Sequence, residues 1–462
     1  MRRRIAPAPH WTRLELGLMG AISALALALR LYRFDQAPAL TDNADELDWA
    51  WSGMTLIRRG VPYGWSYLRA YGAPQILRDH HTSYPIVHPY LDHPPLFSLF
   101  TGAWALLLGA RQMTQVTLGM IRPPVIVLSV LALILVYVLG RRVLGRSPAM
   151  LAILLLATSP GAVLLQREVE SESLLAVLVL AALICVLRLE AGEGGWPTLL
   201  ALVGVCLAGS LTKVPGISIA GVAAVLLLQS RRWWPALAAA GAGVAGLGVF
   251  ALYGAVLDWR LFLAVWTEQA ARRSGVFAAF QFIAAPAGVN RPLHDGWWLL
   301  GWLGLAGIAF ASGRGGTRLT ERYVVWPAVA YALTMLLMAD QRVVGQYGWY
   351  RIAVYPLVYL GAGSLVWRLF RAPSGALLGL LLALGGAAAS SGWLGSGGEP
   401  WTPPPELLFG LLVAALLPTL LIPTWPRLRS LAQACVAFTV LVLVLGNVVE
   451  ALRLPELLAH SL

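Results

Sequence analysis

Apolar runs long enough to cross a hydrocarbon core of about 30 Å recur from one end of this 462-residue chain to the other. In lipid each such run must satisfy its own backbone N–H and C=O groups, so the runs are predicted helices. The rest of the composition fits: 58% of residues are hydrophobic and only 12% are charged. A soluble protein of that makeup would expose large apolar patches and aggregate. The chain is therefore predicted to be an all-α integral membrane protein, a bundle of about thirteen spans. They lie at about 14–31, 123–139, 149–163, 174–187, 198–211, 215–228, 236–253, 297–311, 324–338, 352–367, 376–389, 407–422 and 432–449. The first run has no small-residue cleavage site after it and is read as a retained helix. Cys185, Cys206 and Cys435 all fall inside apolar runs, as small hydrophobes with neither disulfide nor metal spacing.

Loop charges give the crossings a direction. Arg2, Arg3, Arg4 and Arg13 precede the first run, which puts the N-terminus in the cytoplasm. Alternate loops then carry Arg141, Arg142 and Arg146; Arg188; Arg231 and Arg232; Arg314, Arg318 and Arg322; Arg368 and Arg371; and Arg427 and Arg429. All fall on the side of the N-terminus, leaving the C-terminus outside. The net charge of +12 follows from this topology and does not call for nucleic acid. A crossing by the short apolar run at 94–108 would turn every later basic loop outward. That run is therefore placed as an interfacial or re-entrant helix. Two large external loops remain, about 35–122 and 257–295, with no soluble domain after the last span. The whole chain, 1–462, reads as one membrane domain.

The acids gather on the outer side. Asp45, Glu46 and Asp48 open a helix whose stripe of Leu47, Ala50, Trp51, Met54, Ile57 and Arg58 suits a membrane surface. One reading is a capped helix, with Asn43 as N-cap and Glu46 closing a capping box. The other is functional, because acids crowded at a low-dielectric boundary are costly. Farther along the loop stands Asp92-His93-Pro94-Pro95-Leu96. His80, His81, His88 and His93 leave a divalent metal open, but their spacing matches no zinc pattern. A tight external turn carries Arg167, Glu168, Glu170 and Glu172. It reads either as a solvated turn or as a site where Arg167 clamps a phosphate bidentately. Lys213 is the one lysine among 34 basic residues. It is either a snorkelling survivor or a compact cation placed for a lipid phosphate. Gln346 to Arg351, with Tyr350, reads as an interfacial anchor or as a headgroup holder.

Together these residues resemble the GT-C superfamily of polyprenyl-phosphate-sugar-dependent glycosyltransferases. The chain looks most like its protein O-mannosyltransferases, lipid A aminoarabinose transferases and RgtA/B/C/D-like group. The resemblance rests on Asp45-Glu46 opening the first external helix and on His93-Pro94-Pro95-Leu96 later in that loop. It rests also on Arg167 with an acid five residues on, and on Leu211-Thr212-Lys213 closing a glycine-rich span. It covers the chain well to about Gly216 and weakly through 350–356. Where this chain has His93 the aminoarabinose enzymes have lysine, and where it has Glu172 the family acid is typically aspartate.

The resemblance implies a GT-C bundle and transfer of a sugar from a polyprenyl-phosphate donor to a glycan, lipid or protein acceptor at the outer face. It implies Asp45 as general base with Glu46 in support, and Arg167, Lys213 and Arg351 on the donor phosphate. Asp92, His93, Glu172 and Tyr350 would support them or bind acceptor. Inversion by direct displacement follows from the same analogy. A lipid or solute transporter or flippase is the alternative, although transporters usually place charges at the bilayer midplane within inverted repeats.

Overall fold

A membrane helix needs an apolar exterior as well as an apolar core, and the structure has both. It is a computed structural model that describes residues 10–40, 43–79, 82–271, 276–284, 296–313, 318–338, 347–395 and 405–459. The first helices are α1 (Arg13–Leu31), α2 (Asp45–Arg59), α3 (Leu96–Leu107), α4 (Leu118–Val143), α5 (Arg146–Thr158) and α6 (Pro160–Leu165). Then come α7 (Ser171–Ala191), α8 (Gly195–Thr212), α9 (Ile217–Gln229), α10 (Trp233–Ala270), α11 (Val276–Ala284) and α12 (Gly296–Gly313). The remaining main helices are Trp326–Met338, Tyr355–Arg371, Gly375–Gly395, Pro405–Leu421 and Arg429–Ala459. Each apolar run in the sequence thus has a helical counterpart. Among the described residues seven helices are long and apolar enough to cross a membrane. Leu237, Val244 and Leu252 on α10 point outward and are about 60% exposed. Water would penalise that stripe and lipid would not.

The bundle has two chemically different ends. At one, Arg322 pairs with Glu190 at 2.8 Å and Arg142 with Glu193 at 2.6 Å. Arg322 also donates to Gln229 at 2.9 Å, and the Thr320 hydroxyl to the Val143 carbonyl at 2.7 Å. These contacts gather the basic loops that the charge pattern had put on one side. At the other end lie α2, α3, the start of α4, the 166–170 turn and Lys213.

The structure departs from the sequence expectations in three places. The first external loop is not purely helical: β1 (Gly64–Trp65), β2 (Gln75–Asp79) and β3 (Thr82–Val87) form an antiparallel sheet in the order β1-β3-β2. Trp65 faces Ile86 and Gln75 also faces Ile86 across β3's other edge. The 257–295 stretch is helical over much of its described length. α10 runs to Ala270 with a break at Asp258, whose φ of −167° is extended backbone. Asp258 caps the outer part of the helix, accepting from the Leu261 N–H at 2.9 Å. Finally, Asn43 and Glu46 do not form a capping box. Asn43 instead bridges Glu168 and Glu170, and Glu46 pairs with Arg122.

The run at 94–108 is α3, 12 residues or about 18 Å long, too short to span. It lies against α2 at backbone contact. A Cβ on Gly53 would collide with the Ser98 carbonyl oxygen, and one on Gly102 with the Met54 nitrogen.

Candidate active site

The site is built where α2 begins. Asp45 is half-buried, and its N–H donates to Asn43 Oδ1 at 3.1 Å. Burial and the Asp45 carboxylate together push the Tyr67 and Tyr347 hydroxyls above their ordinary range. Lys213 follows the last turn of α8. Its ammonium meets Glu172 Oε1 at 2.5 Å and lies 5.2 Å from the centre of the Tyr350 ring. Glu172 also accepts from the Ser171 hydroxyl at 3.0 Å. Asn43 joins the two groups, since its Oδ1 accepts the Asp45 N–H and its Nδ2 donates to Glu170, two residues before Glu172. Asp45, Glu172, Lys213 and Tyr350 therefore belong to one cluster.

The other candidate residues do different work. Glu46 is fully buried in a two-point ion pair with Arg122, Nη2 to Oε1 at 2.5 Å and Nε to Oε2 at 2.9 Å. It also accepts the Val169 N–H at 2.9 Å. With both oxygens engaged, Glu46 ties α2 to α4 and to the 166–170 turn and is closed to an acceptor. Arg167 is fully buried. Its guanidinium donates to the Leu29 and Ala37 carbonyls, so it caps the C-terminal end of α1, where a cation offsets the helix dipole. Arg30 does the same for α5, through the Leu156 and Ala157 carbonyls at 3.1 Å each.

Asp92 is buried and held by the Ser66 hydroxyl at 2.7 Å and the Tyr71 hydroxyl at 2.6 Å. It fixes the return of the first loop into α3. His93 stacks on Trp49, with centroids 4.8 Å apart and planes at 22°. Arg351 is buried, stacks 5.1 Å from the centre of the Trp298 ring and donates to the Gln281 carbonyl at 3.3 Å. His80, His81, Gln346 and the 285–295 stretch lie outside the described residues. Among the described residues no group of three His, Cys, Asp or Glu side chains gathers to hold a metal.

Sequence reasoning missed Arg122, Asn43's second role and Glu268. Arg122 had a signal: an arginine at the very start of an apolar run, before Pro123-Pro124. Glu268, near the end of α10, accepts the N–H groups of Arg69 and Ala70 at 3.1 and 2.9 Å. It thereby docks the outer part of α10 on the turn that carries Tyr71. Glu268→Ala is expected to speed hydrogen exchange at the Arg69 and Ala70 amides while leaving α4 and α7 protected. Equal exchange in both proteins would mean that the contact does not hold the turn.

Comparisons with known proteins bear on the fold. A family model described as dolichyl-phosphate-mannose-protein mannosyltransferase matches residues 92–259. No curated protein sequence matches the chain. Among solved structures the chain resembles ArnT from Cupriavidus metallidurans bound to undecaprenyl phosphate. The TM-score is 0.55 at 17% identity, over 96% of this chain and 77% of that one. Apo ArnT gives 0.57 at 17% identity, over 96% and 78%. The chain is thus a multi-pass membrane protein with the GT-C fold of ArnT.

Proposed function

We propose that this protein is a glycosyltransferase that moves a sugar from a polyprenyl-phosphate donor to an acceptor hydroxyl at the outer face of the membrane. The observation that carries the reading is the cluster itself. A half-buried aspartate and a lysine–glutamate–tyrosine cluster, distant in sequence, meet at the end of the bundle opposite the basic loops. The positive-inside rule makes that end external. The likeness of fold to ArnT, solved with undecaprenyl phosphate, supports a lipid-linked donor.

In this reading Asp45 takes the proton of the acceptor hydroxyl as its oxygen attacks the anomeric carbon. The bond from that carbon to the phosphate oxygen breaks, and polyprenyl phosphate leaves with the added negative charge. Attack opposite the leaving group inverts the anomeric centre. Lys213 stabilises the charge growing on the phosphate in a partly dry site. An ammonium has three donors, and the bond to Glu172 uses one while aiming the others. Tyr350 walls the cation on its far side. A flippase would need charges along a path through the bilayer, whereas these lie at helix ends.

Donor binding tests the assignment. Lys213→Ala should weaken binding of polyprenyl phosphate to protein in nanodiscs by about 10–100-fold, the worth of a charged hydrogen bond of about 1.5–3 kcal/mol. Arg167→Ala should instead lower thermal stability and leave the affinity of the folded protein unchanged. Wild-type affinity in Lys213→Ala would remove the lysine from the phosphate site.

A further inference from the structure

The turn between α6 and α7 buries three glutamates, Glu168, Glu170 and Glu172, beside a fourth, Glu46, from α2. Two cations answer two of them: Arg122 pairs with Glu46 and Lys213 with Glu172. Arg167, in the same turn, is spent on the Leu29 and Ala37 carbonyls. What bridges Glu168 and Glu170 is a neutral amide. Asn43 Nδ2 donates one hydrogen to Glu168 Oε2 at 2.7 Å and the other to Glu170 Oε1 at 2.9 Å. The Oε1 atom of Glu168 is buried without a hydrogen-bond partner. Two buried carboxylates sharing one amide, flanked by further carboxylates, cannot both stay ionised at tolerable cost.

We infer that Glu168 and Glu170 stand as neutral carboxylic acids at neutral pH, and that Asn43 is the positioning residue that holds both of them and Asp45. The groups around each acid separate their roles. Glu168 feels the charges of Glu46 and Arg122. Glu170 feels those of Glu172, Asp45 and Lys213. Burial and those two carboxylates hold Glu170 well above the ordinary carboxyl range. The Asn43 oxygen meanwhile fixes the Asp45 amide, so one side chain sets the base and the acid together. A neutral Glu170 keeps a further negative charge away from the departing phosphate and offers a donor to a sugar hydroxyl.

The consequence for turnover rests on the transferase reading; the protonation does not. Infrared spectroscopy of the wild-type protein in lipid should show a protonated carboxyl band at neutral pH that fades as pH rises and is reduced in Glu170→Gln. Transfer by the wild type should fall on the alkaline side. Glu170→Gln, a permanently neutral donor, should transfer at least about tenfold faster than Glu170→Ala and lose that alkaline fall. A wild type with no such band, or a band unchanged in Glu170→Gln, overturns the inference. So does a Glu170→Gln enzyme as inactive as Glu170→Ala, because the charge would then be required. If the band behaves as expected and the wild type transfers no sugar, the functional reading fails and the protonation stands.

Discussion

Asp45→Asn is expected to lower sugar transfer by about 10²–10⁴-fold, the usual contribution of a general base, with donor affinity within about twofold of wild type. The exchange keeps shape and hydrogen-bonding capacity but leaves no group to take the acceptor proton. Asp45 is half-buried at the first residue of α2, so the fold loses little with its charge. The measurement is transfer from a labelled polyprenyl-phosphate sugar by purified protein, with donor binding followed separately. Ordinary turnover in Asp45→Asn would end the base assignment and move attention to another acid of the cluster.

Arg122→Met should be the most damaging single change to stability, about 3–5 kcal/mol. It leaves Glu46 buried without its cation, and it also removes donors to the Phe34 and Pro38 carbonyls. Adding Glu46→Gln should recover part of the loss, since the stranded charge disappears with it. Thermal unfolding of the two single variants and the double variant measures this as a coupling energy. Additive losses would mean that the two residues act independently, and that the 2.5 Å contact contributes little.

That pair also marks the limit of what the sequence discloses. The helices were legible because lipid imposes a length and a composition on each run, and the structure places a helix on every one. The clustered acids were legible because charge at a low-dielectric boundary is costly and therefore conspicuous. Which cation answers which acid was not. Arg122 and Arg167 both stand at the edge of an apolar run, and only the folded chain puts the first on Glu46 and the second on the carbonyls of α1. The β2–β3 hairpin escaped for another reason. β2 is largely exposed and carries charges at Arg78 and Asp79, so no period-two apolar pattern announces it. The helical part of 259–270 was hidden by the break at Asp258, which reads in sequence as the end of a span.

The seam between α2 and α3 has a mechanical consequence. With Gly53 and Gly102 in backbone contact with the opposite helix, neither helix can slide or roll without a clash. Asp45 at the head of one and the Pro94-Pro95 corner at the head of the other thus behave as a fixed jaw. The outer part of α10, joined through the non-helical Asp258, is tied to the same loop by Glu268 on two amides and by Phe262 and Trp266 packing around Leu91. The position of Asp45 is thus set by backbone packing between two helices.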